Sequence, residues 1–242
     1  MQGYTRRQLK QDKLAATTKD AAQWAAGHKS PVVWSIVAAV LIVLGVVGFL
    51  AWRSQQTEQG NLALAGALRT FGQPLRPAGS PATGTNGYLT IAERAKASQK
   101  EFKAVADKYS MVGPGRMARY MEGVAAMQAG DNAAAEQALK ITAEGRDKDM
   151  AALAKLSLAQ LYRSTNRSAD ASKIYKELAD HPTGTVPKVR ALLDLAEMYE
   201  NSAPDQAAAI YQQIQKENPK SAAAQIAAAK LAGKQPPGGL NF

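Results

Sequence analysis

The chain contains no cysteine. Disulfides, thiol nucleophiles, cysteine-based zinc sites and lipid attachment through an N-terminal cysteine are therefore excluded. Histidine occurs only at His28 and His181. The first precedes an apolar run and the second sits in a His-Pro turn, so both read as surface residues and not as ligands. No HExxH, phosphate loop or nucleophile elbow is present. Gly113-Pro114-Gly115 lacks the Gly-Lys-Ser/Thr that a phosphate loop needs and reads as a helix boundary. Asp147 and Asp149 read as solvated charges in a loop between helices. Asn166-Arg167-Ser168 reads as a chance match to a glycosylation sequon. With four Phe and three Trp, a large aromatic core is not expected. The expectation is a protein that is not an enzyme and needs no cofactor and no metal.

What the chain does have is Ala, Gln, Lys and Glu, residues that lose little entropy in a helix. The expected fold class is all-α, with small side chains at the helix contacts. The formal net charge is +10, which raises nucleic acid or an anionic membrane surface as partners. Part of it lies at the start, where Arg6, Arg7, Lys10, Lys13, Lys19 and Lys29 face only Asp12 and Asp20. The remaining excess is interleaved with acids, as on a solvated surface, so nucleic acid is not an expected partner.

From Val32 to Ala51 the sequence runs for twenty residues without a charge. That length crosses a hydrocarbon core of about 30 Å at about 1.5 Å per residue. Lys29 and Arg53 bracket the run, and Trp34 and Trp52 stand near its ends, where indole rings favour the headgroup region. The basic stretch before it is too long for a signal peptide, and the exit Phe49-Leu50-Ala51-Trp52-Arg53 offers no small-x-small cleavage site. It reads as an uncleaved transmembrane helix over 31–52. The excess of Lys and Arg before the run puts the N-terminus in the cytoplasm and the large C-terminal part outside. The tail 1–30 is then cytoplasmic. Within it Tyr4–Leu14 reads equally as a short amphipathic helix on the inner leaflet or as a solvated topogenic tail.

Residues 53–89 hold a helical stretch, Ser54–Phe71, and then a Pro- and Gly-rich loop from Gly72 to Gly87. Helix resumes at about Thr90, a capping residue. Between 90 and 235 a period appears. The small residues Gly123, Ala159 and Ala196 recur at intervals of 36 and 37, and Ala135, Ala171 and Ala207 at 36 and 36. Tyr162 and Tyr199 follow the first set by three residues, with Ala126 in that place in the first unit. Tyr175 and Tyr211 follow the second set, with Leu139 in the first unit. Pro182 and Pro219 close the second and third units. Such a unit is a helix pair that approaches closely at its small residues and must stack on its neighbours to bury its apolar face. A half-unit, Ala95–Tyr109, precedes the stack, a helix over Ser221–Ala232 caps it, and 236–242 is a flexible tail.

The pattern resembles the tetratricopeptide repeat, a helix–turn–helix of 34 residues, although the early Trp of helix A is absent and the period is slightly long. The resemblance implies an α-solenoid of this type behind the membrane helix. It also implies a binding face built mainly from the A helices: Met117, Tyr120, Val124, Met127 and Gln128; Leu153, Leu156, Gln160 and Arg163; Arg190, Leu193, Glu197, Glu200 and Asn201. Met117, Tyr120, Leu156 and Leu193 read equally as inter-helix core. As a whole, the layout resembles the bacterial YfgM-like family of ancillary SecYEG translocon subunits. The shared features are a basic tail with Trp24, one span ending at Trp52-Arg53, and Ala-rich degenerate repeats. That resemblance implies an inner-membrane protein whose periplasmic domain meets translocon subunits, periplasmic chaperones or secreted chains. A scaffold for another envelope complex, in division, pilus or cytochrome maturation, fits the same layout.

Overall fold

The computed structural model describes residues 29–77 and 87–233. The basic tail with its candidate amphipathic segment, His28, the middle of the Pro- and Gly-rich loop and the C-terminal tail lie outside the described residues. The described residues are all-α with no strand: α1 (Lys29–Phe71), α2 (Ile91–Lys108), α3 (Gly113–Ala129), α4 (Asn132–Ala143), α5 (Lys148–Ser164), α6 (Ser168–Asp180), α7 (Lys188–Tyr199), α8 (Pro204–Glu217) and α9 (Ala222–Leu231). The chain divides into two units, residues 1–55 and 56–242.

In the first unit the described residues belong to α1. Its large apolar side chains there are exposed: Trp34 is 69% exposed and Leu41 63%. An α-helix that shows Val, Leu, Ile and Phe on every side is unstable in water and suited to lipid. The helix is long and apolar enough to span a membrane.

The second unit is a stack in which each helix packs against the next along the chain. Short connections force neighbours to run antiparallel, and the sequence marks nearly every turn. Thr90 and Glu93 form a reciprocal capping box on α2, satisfying two amides that would otherwise be orphaned. The side chains of Asp131, Asp147 and Ser221 accept from Ala134 N, Met150 N and Ala224 N at 3.1, 3.2 and 3.1 Å. Gly130 ends α3 with φ 79°, a conformation that costs glycine little. Pro204 opens α8, where a missing N–H is harmless.

The repeat reading corresponds to α3–α4, α5–α6 and α7–α8, with α9 as the cap. Ala135, Ala159, Ala171 and Ala196 are completely buried and Ala207 is 3% exposed. Around them sit Leu139, Leu158, Tyr162 and Tyr175 in one cluster, and Leu192, Tyr211, Ile214 and Ile226 in the next. The stack starts earlier than its period shows. Ala63, Leu64, Ala67 and Phe71, at the end of α1, pack on Phe102, Val105 and Tyr109. The stretch after the apolar run is thus the partner helix of the half-unit.

Candidate functional site

The A helices α3, α5 and α7 carry the residues expected on the binding face, and they do not stand alike. Gln128, Arg163 and Glu197 are exposed, while Met117, Tyr120, Met127, Gln160 and Arg190 are half-buried. Leu193 is 8% exposed and belongs to the core. Of the two readings open for it, the structure takes the core. Asn201 lies just past α7, in the turn to α8, because the helix ends at Tyr199.

Bonds across the layers link several of these groups. The hydroxyls of Tyr120 and Ser157, in successive A helices, lie 3.3 Å apart. Arg163 pairs with Glu197 across the next boundary at 3.8 Å, with both side chains more than 40% exposed. Arg190 Nε donates to Asp194 Oδ2 at 3.1 Å one helical turn along. Asp194 is buried, and loss of solvation raises its pKa above the ordinary carboxylate value, with Arg190 opposing. Beneath this row Tyr175 is completely enclosed, and its hydroxyl has no hydrogen-bond partner. Burial, and next the charge of Asp194, raise its pKa.

Ser157 and Asp194 were not anticipated from sequence, and Tyr175 was placed only as the large residue of the second helix of its unit. A signal for two of them exists: Tyr120, Ser157 and Asp194 are each 37 residues apart, close to the interval of the small residues. They lie on one wall because the stack repeats at that spacing. The wall is polar, internally paired and nearly neutral, with Met and Tyr at its α3 end. It can offer charge-assisted hydrogen bonds through Arg163 and Glu197 and adaptable apolar contact through Met117 and Met127.

The acids read as loop charges have defined work. Asp147 caps α5. Asp149 accepts from the Thr185 amide at 3.3 Å and the Thr185 hydroxyl at 3.2 Å, tying the α6–α7 loop to the start of α5. On the outer side, Glu136 accepts from the Tyr162 hydroxyl and pairs with Lys140 and Arg167. The Arg167 guanidinium lies 3.9 Å from the centroid of the Tyr162 ring. Among the described residues no three His, Asp or Glu side chains gather as a metal site requires.

A family model described as a tetratricopeptide repeat-like domain matches residues 22–185. A second, described as a tetratricopeptide repeat, matches residues 156–222. The chain belongs to the tetratricopeptide repeat-like domain family. The first match takes in the apolar run together with the first two units, and the second runs from the middle of α5 through the third unit. Comparison with curated proteins and with solved structures found no match. Repeats of this family form protein–protein interaction modules and are typically scaffolds without catalytic chemistry of their own.

Proposed function

We propose that this chain is a non-enzymatic, membrane-anchored interaction module that holds a protein partner against the wall formed by α3, α5 and α7. The tail before the run faces the cytoplasm, residues 31–52 span a bacterial inner membrane, and residues 90–235 work on its outer side. The observation that carries this reading is the coexistence of two features. One is an exposed helix with a twenty-residue charge-free run. The other is a repeat stack whose A-helix residues Gln128, Arg163 and Glu197 are exposed. A stack needs no lipid-compatible helix to fold, so the apolar helix is a tether for a binding surface. The similarity of layout to YfgM-like translocon subunits supports a place beside the Sec machinery, where chaperones hand over secreted chains.

Two measurements test this. A reporter active only outside the cytoplasm, fused after Phe242, should be active, and a reporter active only inside should fail there; the reverse pattern overturns the orientation. Crosslinking in intact membranes, followed by identification of the captured proteins, should recover translocon subunits or periplasmic chaperones. Recovery of a division, pilus or cytochrome-maturation complex would assign the scaffold reading, and recovery of no protein at all would sink both.

A further inference from the structure

The charge of the repeat unit is unevenly distributed. Residues 56–119 hold nine Lys and Arg against four Asp and Glu, whereas residues 120–233 hold thirteen against fourteen. In the longer stretch seven of the thirteen cations pair with an acid. In the shorter one, among the described residues, only Lys103 and Arg119 do so.

On α2 the excess forms a stripe. Ala95, Ser98, Phe102, Val105 and Ala106 are the buried face, and Lys96, Lys100 and Lys103 are exposed on the opposite one. They are spaced i, i+4, i+7, so three ammonium groups span two turns, about 10 Å. Of the three acids on α2, two make other contacts, Asp107 only in part. Glu93 folds back onto the amides of Leu89 and Thr90, and Asp107 binds Arg119 as well as Lys103. The stripe has no aromatic ring on which a nucleic-acid base could stack. It has no large apolar side chain to enter a bilayer interface. Its neighbours are Ala97, Glu101 and Ala104.

We propose that the outward face of α2 is a second docking surface, for an acidic protein segment that presents about three carboxylates over two helical turns. It is separate from the A-helix wall and does not rest on the membrane reading. Exposed lysines of this kind steer a partner into encounter and set its orientation, and their attraction fades as salt rises.

The test uses the full chain in a neutral detergent. Because the chain has no cysteine, Ala104→Cys places one environment-sensitive dye on this face. Poly-glutamate is the probe. Saturable binding at low salt is expected, weakened about tenfold by K96E/K100E/K103E. Reversing Lys173, Lys176 and Lys216, which are exposed, changes the net charge equally and should leave affinity within about twofold. The neutral K96Q/K100Q/K103Q variant keeps good helix formers and should lose affinity in the same direction with an unchanged melting temperature. Equal loss from both reversals, loss from neither, or full affinity in the Gln variant overturns the proposal. So does tighter binding of poly-dT or of phosphatidylglycerol vesicles through the same three lysines.

Discussion

Gly123 in α3 lies against Leu139 in α4, so close that a Cβ built on the glycine would stand 2.6 Å from Leu139 Cγ. An alanine elsewhere in a helix gains roughly 1 kcal/mol over glycine. Here the methyl group must displace a completely buried leucine, and overpacking of that kind costs about 1–3 kcal/mol. The two effects oppose, and the clash should prevail. Gly123→Ala is expected to lower stability in denaturant unfolding of the full chain. Adding Leu139→Ala, which alone costs about 2–5 kcal/mol, opens room for the methyl group, so the pair should cost less than the sum of the singles. Additivity within about 0.5 kcal/mol would show that Leu139 is not what excludes a side chain at 123.

The same logic applies between helices of the second unit. Ala159 and Ala171 are both completely buried, at the small positions of α5 and α6. Replacing either with Leu forces the pair apart and should cost about 1–3 kcal/mol, read as a lower unfolding midpoint with helical circular dichroism retained below it. Acceptance of Leu at both positions without loss would mean that these alanines do not mark the close contact.

Acid should loosen the seam at Glu136. Its pKa lies below its ordinary 4.5, first because Lys140 donates to the carboxylate and then because the Tyr162 hydroxyl does, while partial burial opposes. A carboxyl whose folded pKa is depressed contributes stability that is complete above its unfolded value. That contribution is lost as pH falls through the folded one. Wild-type protein should therefore lose melting temperature as pH drops below 4.5. Glu136→Gln should start lower at neutral pH and show a shallower fall. Parallel curves for the two proteins would remove Glu136 from the account.

Much of this architecture was legible because repeats write their geometry at a fixed interval. Gly123, Ala159 and Ala196 named the A helices, Thr90 with Glu93 announced the start of α2, and Pro182 and Pro219 fell just beyond α6 and α8. The residues that escaped are those whose roles are set by distance and not by period. Asp149 reads as a loop charge until Thr185, 36 residues on, comes within hydrogen-bond reach. Glu122 occupies the place of Leu158 and Leu195, and a buried carboxylate there is tolerable only because Arg119 meets it at 2.6 Å. Ala63 and Ala67 read as part of a juxtamembrane helix before the repeats, since nothing in composition separates a helix leaving a bilayer from one entering a stack. On the A-helix wall, burial could not be read from residue type alone: Leu193, open to either reading, belongs to the core, and the carboxylate of Asp194 beside it is buried too.

That last point decides how the wall should be probed. Reversing Arg190 would place a second carboxylate beside buried Asp194, and the loss of a buried partner costs about 3–5 kcal/mol, so any loss of binding could be blamed on unfolding. Arg163 and Glu197 suit the test better. Their pair is exposed and spans two units at 3.8 Å, and an exposed pair is worth about 0–1 kcal/mol. Arg163→Glu should barely move the melting temperature yet should repel an acidic partner group. The exchange R163E/E197R restores the attraction between the two units while inverting the pattern shown to a partner. If the wall reads charge, crosslinking yield in membranes falls in the single variant and stays low in the exchange, with both melts unchanged. If yield returns in the exchange, the pair matters only for holding α5 and α7 together. If yield never falls, the partner sits elsewhere, and the α2 lysines become the next positions to change.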